Sequence, residues 1–454
     1  MQRTKCLHLA SGGRGAKDYL KFTAQEASTI ALVKVGNPLD VSLVTSLNGA
    51  PWQSYTIGNT ISLNEGDELR WRAATTNSTF ATSASSYYNY VMTGSLNGSG
   101  DLQSLIDSTL HNRTAANMRY LFQNCTSLIE PPFSSATNWP LENDGLYKGS
   151  GITRAMKMTA LYCNRSSFAE WYMNCASLTD ASPMDCTQVH PQTAQGFEAT
   201  FSGIFRNCQN LTNAPRITIN DTTAQIYYCF SNSFNGCTAL EDASNINFIE
   251  CNFGGRAFYY MFENCRLLRV PPTFGRLTRV STYGAEFDGI FEGCISLEVA
   301  PTIDADASFR YAFNGCTALE NASGIVLGNY MINASYRAFY GCTSLRIPPS
   351  IKCQNNGISG FMECFRGCTA LEYAEIEDFT GASWANNQFA YMFYGCTSLQ
   401  RLKVHFELWG DGVNGTTNWL QNAATAATFE CPAALDQTQR DNSHIPQGWT
   451  IETF

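Results

Sequence analysis

Met118-Arg119-Tyr120-Leu121-Phe122-Gln123-Asn124-Cys125-Thr126-Ser127-Leu128 is the stretch from which the whole chain reads outward. It returns as Phe389-Ala390-Tyr391-Met392-Phe393-Tyr394-Gly395-Cys396-Thr397-Ser398-Leu399. Eight more copies lie between, centred on Cys175, Cys208, Cys237, Cys265, Cys294, Cys316, Cys342 and Cys368. A repeat of this period sets the architecture before any single residue is read.

With the cysteine as position zero, an aromatic stands at position −3 in every copy: Phe122, Tyr172, Phe205, Phe234, Phe262, Phe291, Phe313, Phe339, Phe365 and Phe393. A second stands at −7 in most, as Phe168, Phe201, Phe230, Phe258, Phe287, Phe309, Phe361 and Phe389. Two aromatics four apart share one face of a helix, so a short helix is expected here. Position −1 is always Asn or Gly, the residues that tolerate the left-handed backbone ending a helix. Position +3 is always Leu: Leu128, Leu178, Leu211, Leu240, Leu268, Leu297, Leu319, Leu345, Leu371 and Leu399. Small residues or Pro follow, which reads as an extended segment. One such unit cannot bury its aromatic face, whereas stacked units can, so the expectation is a solenoid. A parallel ladder of ten units at a spacing of ~4.8 Å spans on the order of 45 Å.

These residues carry a resemblance. An aromatic followed by Gly/Asn-Cys-Thr-Ser-Leu resembles the BspA-like leucine-rich repeat, of the kind found in Bacteroidota and their phages, and it covers roughly residues 115 to 454. The resemblance implies a mixed α/β repeat protein: a small N-terminal β-sandwich, then a leucine-rich repeat solenoid, then a C-terminal cap. It implies attachment or surface recognition without enzymatic activity. The setting it suggests is a phage virion protein of tail- or head-fibre type, assembled in the host cytoplasm, contacting other virion proteins through its N-terminal segment and a bacterial surface glycan or protein elsewhere. Met1 to Ala10 does not read as a secretory signal, which favours the virion over a bacterial surface adhesin.

Composition sets the outer limits. The chain has 454 residues, 44% hydrophobic, 13% aromatic and only 15% charged, with a net charge of −9. That balance argues against nucleic acid and anionic membrane surfaces as partners. No apolar run reaches the length of a membrane-spanning helix. The repeat cysteines occupy one structural position and point the same way, which is poor disulfide geometry; they read as small buried residues with free thiols.

In chain order, 1–17 is a Gly-rich basic tail that reads either as a flexible segment or as one that docks into a partner. Residues 18–96 alternate as strands (Leu20/Phe22, Ile30/Leu32, Val41/Leu43, Leu69/Trp71), with a hairpin signal at Asn48-Gly49 and a turn at Asn64–Asp67. Residues 97–114 read as a linker plus a short helix, 115–402 as the solenoid and 403–454 as its cap. The 50 residues from Cys125 to Cys175 hold an insertion, roughly 131–165. Its Trp139 and Tyr147 read either as a binding loop or as a cover over the core. Trp419 and Trp449 read as core of the cap.

No catalytic constellation stands out in the sequence, and paired carboxylates of the glycosidase kind are left open, since their separation in space decides them. The five histidines lack metal-ligand spacing. Cys364 with Cys368, and Asp304 with Asp306, lack the further ligands a zinc or calcium site needs. No cofactor or metal is expected. Binding is expected instead at the positions facing away from the buried pair, −5 and −2. They hold Tyr120, Tyr260, Tyr311, Tyr340, Tyr391 and Tyr394 beside Arg206, Arg337, Arg366, Glu263, Glu292 and Glu363. Such rings either form an extended contact strip or fill grooves between repeats. A homo-oligomer is left open.

Overall fold

The computed structural model describes residues 19–109, 115–140, 142–192, 197–280, 284–305, 307–328, 334–353, 360–377 and 384–454. The tail 1–17 and Asp306 lie outside the described residues. The chain is almost all β: an N-terminal pair of antiparallel sheets runs into a long β-solenoid. Helix among the described residues is confined to two 3-10 segments, Leu102–Leu105 and Asp411–Val413. None is long and apolar enough to cross a membrane.

The expected helix in each repeat is therefore corrected. The phrase is a string of four-residue turns. In the coil ending at Cys265, φ is 58° at Arg256, 49° at Tyr260 and 60° at Asn264. A left-handed residue at every fourth position is incompatible with an α-helix. Backbone donors alternate in direction. Phe262 N–H reaches Ile290 O of the next coil at 2.8 Å, and Asn264 N–H reaches Glu292 O at 2.7 Å. Between them, Cys265 N–H turns back to Phe262 O at 3.0 Å. A four-residue period returns −7 and −3 to the same side as a helix would, which is why spacing alone misled. The mixed α/β class gives way to a nearly all-β one for this reason.

What stacks inside is a column of rings. It begins in the sandwich at Tyr90 and runs through Phe122, Tyr147, Tyr172 and the −3 Phe of each later coil to Phe393. Neighbouring centroids are 5.0–5.6 Å apart and the planes lie within 2–22°. The −3 aromatics, the cysteines and the +3 leucines of all ten copies are buried. Each repeat thiol does more than fill space. Cys265 Sγ donates to Phe234 O at 3.1 Å and Cys294 Sγ to Phe262 O at 3.1 Å, and the same bond to the preceding coil recurs at every repeat cysteine. No disulfide joins the cysteines among the described residues, all of which are buried. Burial pushes their thiols up, to about 11 at Cys175 and about 12 at Cys396. Thiol titration of unreduced, denatured protein should therefore return every cysteine, while the folded protein should stay nearly inert to the same reagent at mildly alkaline pH. A low count after denaturation would show bridges.

The segment 131–165 is a coil and not an insertion. Gly149-Ser150 stands where other coils have Asn/Gly-Cys, with Tyr147 at −3. Tyr147 N–H reaches Trp171 O at 2.8 Å and Gly149 N–H reaches Met173 O at 2.8 Å, as in any other coil. Extended segments along the solenoid form two long parallel sheets, one from Met158–Thr159 to Thr273–Arg279, the other from Val326–Gly328 to Thr450–Thr453, and a two-stranded one that pairs Tyr162–Cys163 with His190–Pro191. The last two strands, Thr428–Cys431 and Thr450–Thr453, pair in parallel with their predecessors. The C-terminal region thus continues the winding, with Trp419 and Trp449 buried in it.

In the N-terminal region, Phe22 and Trp71 of one sheet meet Tyr90 of the other at 5.5 and 5.4 Å. Residues 97–100, expected as linker, belong to the strand Leu96–Gly100, which pairs with Leu20–Ala24 and with Leu128–Glu130 of the first repeat. Gly98 is small because it must be: a Cβ there would lie 2.6 Å from Glu130 O. A stretch of Gly and Ser looks like a linker, yet here it is the place where the sandwich sheet meets the solenoid.

Candidate binding surface

Positions −6, −5 and −2 of successive coils fall on one lateral side, half-buried at Arg310, Tyr311, Tyr336, Arg337 and Tyr340 but buried at Asp288, Glu363 and Ala390. Tyr120, Tyr260, Tyr311 and Tyr391 occupy −5 with φ of 60°, 49°, 57° and 55°. The left-handed geometry costs roughly 1–2 kcal/mol at a non-Gly residue, and bonds to the neighbouring coils hold it. All six tyrosines of the expected row are half-buried.

They do not form one continuous row. Tyr120 stands near the sandwich, donating to Asp144 Oδ2 at 3.0 Å with its ring 5.1 Å from Tyr87. Burial and the neighbouring Asp144 carboxylate push its phenol up to about 12. Tyr260 lies against Tyr259 at 4.4 Å and over Gly289, where a Cβ would sit 2.2 Å from the ring. The other four come together. Arg310 lies 5.0 Å from the Tyr311 ring centroid and 5.6 Å from Tyr336. Arg337 lies 5.0 Å from Tyr336 and 5.2 Å from Tyr340. Arg366 lies 5.9 Å from both Tyr340 and Tyr391 and 4.5 Å from Tyr394. The buried Glu363 accepts from Arg337 Nε at 2.9 Å and sits 3.5 Å from Arg366. The result is an alternating lattice of guanidinium and phenol rings over the four coils of Cys316, Cys342, Cys368 and Cys396.

Sequence reasoning missed Tyr336 and Arg310, which sit at −6. A helix would aim that position elsewhere, whereas these turns leave −6 and −5 both half-buried at Arg310/Tyr311 and Tyr336/Arg337. Trp139 and Tyr147, expected as loop residues, are fully buried and offer no ring face to a ligand. Trp139 packs edge-on to Trp171 at 4.8 Å, and Tyr147 stacks between Phe122 and Tyr172.

The coils preceding this lattice carry acids on the same face. Burial pushes the Asp288 carboxyl up to about 6, against the opposing pull of the Ser308 hydroxyl, at 2.5 Å, and of Arg310. A folded value above the unfolded one means that the ionised form is disfavoured in the fold. That cost is full above about pH 6 and vanishes as pH falls toward the unfolded carboxylate range near 3.9. Asp288→Asn should therefore raise the melting temperature near neutral pH and lose its advantage progressively as pH falls from about 6 to about 4. A lower melting temperature for the variant near neutral pH would show that the charge is needed.

A groove of about 700 Å³ opens where the sandwich meets the solenoid, lined among others by Gly98, Phe133, Arg154, Lys157, Met158 and Arg216. Its arginines are paired, Arg154 with Glu130 and Arg216 with Asp185. Among the described residues, no three His, Cys, Asp or Glu side chains are placed to hold a metal ion. No protein-family model matches this chain, and no curated protein or solved structure matches it.

Proposed function

We propose that this chain is a non-enzymatic recognition scaffold, a phage virion attachment protein whose lateral Tyr–Arg face contacts a bacterial surface glycan or protein. The observation that carries the reading is the lattice of Arg310, Tyr311, Tyr336, Arg337, Tyr340, Arg366, Tyr391 and Tyr394 on a rigid stack. Aromatic and guanidinium groups already fixed in place lose little freedom on binding, which suits them to recognition. The virion setting and the leucine-rich repeat kinship rest on the BspA-like phrase alone.

A virion decoration protein is the second reading, favoured by the half-burial of the same tyrosines between coils. A bacterial surface adhesin is a third reading, and a capsule-degrading enzyme, which release of reducing sugar from purified capsule would reveal, a fourth. The test is binding of fluorescently labelled protein to a panel of Bacteroidota strains that differ in capsule. Strain-selective labelling, lost in a Tyr340→Ala/Tyr394→Ala variant that melts like the parent, is expected. Labelling of no strain would overturn recognition in favour of decoration.

A further inference from the structure

We propose that the Tyr–Arg strip takes an acidic polysaccharide, a uronate-type polymer lying along the solenoid axis. This deepens the recognition reading and rests on it.

Charge is the first argument. The chain carries −9 overall, yet against Arg310, Arg337 and Arg366 the strip sets Glu363 in ion-pair contact with the last two and Asp288 at longer range from the first. One buried acid is shared by two guanidinium groups, at 2.9 and 3.5 Å. It cannot occupy all ten of their N–H donors. Arg310 has no carboxylate in ion-pair contact among the described residues and is held by two phenol rings instead. These are cations held 4.5–5.9 Å from phenol ring centroids, and a guanidinium fork not used up by acids can grip a planar carboxylate by its two oxygens.

Period is the second. The coils beneath the strip are spaced by 5.0, 5.5 and 5.6 Å, measured along the ring column from Phe313 to Phe393. A ligand that meets the same kind of contact on each coil must repeat on that length, about the reach of one pyranose unit in an extended chain. Alternating rings and guanidinium groups then match the two surfaces of such a unit, its C–H face and its carboxylate.

Extent is the third. The basic strip ends against Asp288 and Glu292 on the preceding coil, with Glu263 beyond. An acidic border confines an anionic ligand to four coils. It also disfavours nucleic acid, whose affinity grows with many phosphate contacts over a long basic track.

The groove at the sandwich junction is the competing surface, and its arginines are already neutralised by Glu130 and Asp185.

The test uses the full chain in affinity electrophoresis and calorimetry, with polygalacturonate as the acidic probe and dextran as the neutral one. Polygalacturonate should retard and bind the protein, dextran should not, and binding should weaken with salt. Arg310→Gln removes a cation that forms no ion pair at contact distance among the described residues but eases the buried Asp288 carboxyl, so its melting temperature is measured beside Arg310→Gln/Asp288→Asn, and both variants should fold. Arg310→Gln should weaken polygalacturonate binding about tenfold, the effect of losing one charge-assisted contact. Arg366→Lys keeps the charge but loses the fork and should weaken it less. Lys157→Gln, in the junction groove, should change nothing. Equal binding of both polymers, or an Arg310→Gln variant that binds like the parent, would overturn the proposal. If neither polymer binds while labelled protein still selects strains through Tyr340 and Tyr394, the acidic ligand is wrong and recognition stands. If strain selection fails as well, both fall.

Discussion

Phe262→Ala should destabilise the protein by about 3–5 kcal/mol. The ring is fully buried and lies in the column between Phe234, at 5.2 Å and 8°, and Phe291, at 5.6 Å and 5°. Its removal leaves a cavity whose floor and roof are flat rings held by their own coils. The coils that carry those rings cannot close over the gap without breaking the cross-coil bonds from Phe234 N–H to Met261 O and from Phe262 N–H to Ile290 O, both 2.8 Å. Poor collapse places the cost at the upper part of the usual range. The same carbonyl that Cys265 N–H and the Cys294 thiol share, at 3.0 and 3.1 Å, also becomes accessible to water. In a stack where each coil touches only its neighbours, the loss falls on two interfaces at once. Urea unfolding followed by far-ultraviolet dichroism measures it, with Tyr373→Ala on the exposed sheet face as the control. A Phe262→Ala variant as stable as that control would refute the stacking described here.

How far the sequence could be read follows from the chemistry of each position. Inward positions −7, −3, 0 and +3 were legible because burial demands a residue type and the demand recurs. Left-handed geometry at −1 was legible because Asn and Gly announce it. The same geometry at −5 was hidden. Tyr120, Glu170, Tyr260, Arg337 and Glu363 carry no left-handed signature and adopt it because bonds to adjacent coils impose it. Without that clue, a four-residue period was indistinguishable from a helix. The coil through Ser150 was hidden because serine replaced the marker cysteine, though Tyr147 and Gly149 kept the spacing. Of the lateral side that carries the Tyr–Arg lattice, −5 and −2 were readable and −6 was not, for the same helical reason. The Asn97–Gly100 strand was hidden because its glycines serve close approach and not flexibility.

Cutting the sandwich from the solenoid should leave a chain that begins near residue 115 unable to stay monomeric. Tyr90 is the first ring of the column, 5.2 Å from Phe122 and 7° from parallel. Its N–H reaches Leu121 O at 2.9 Å, and its carbonyl accepts the Cys125 thiol at 3.0 Å. Leu96 N–H reaches Ser127 O at 2.8 Å, and Leu128–Glu130 extends the sandwich sheet as a parallel strand. The sandwich therefore supplies one more layer of rings, one more thiol acceptor and one more strand. Without it, the Phe122 face and the edge of Leu128–Glu130 stand open, an edge other molecules can pair with. Terminal coils need such a cover to remain soluble. Light scattering after size exclusion should show soluble aggregates or none of the shortened chain in solution, while the full chain melts in one transition with both halves lost together. A monodisperse shortened chain with an unchanged melting temperature would mean that the sandwich is an appendage and that the column closes by itself at Phe122.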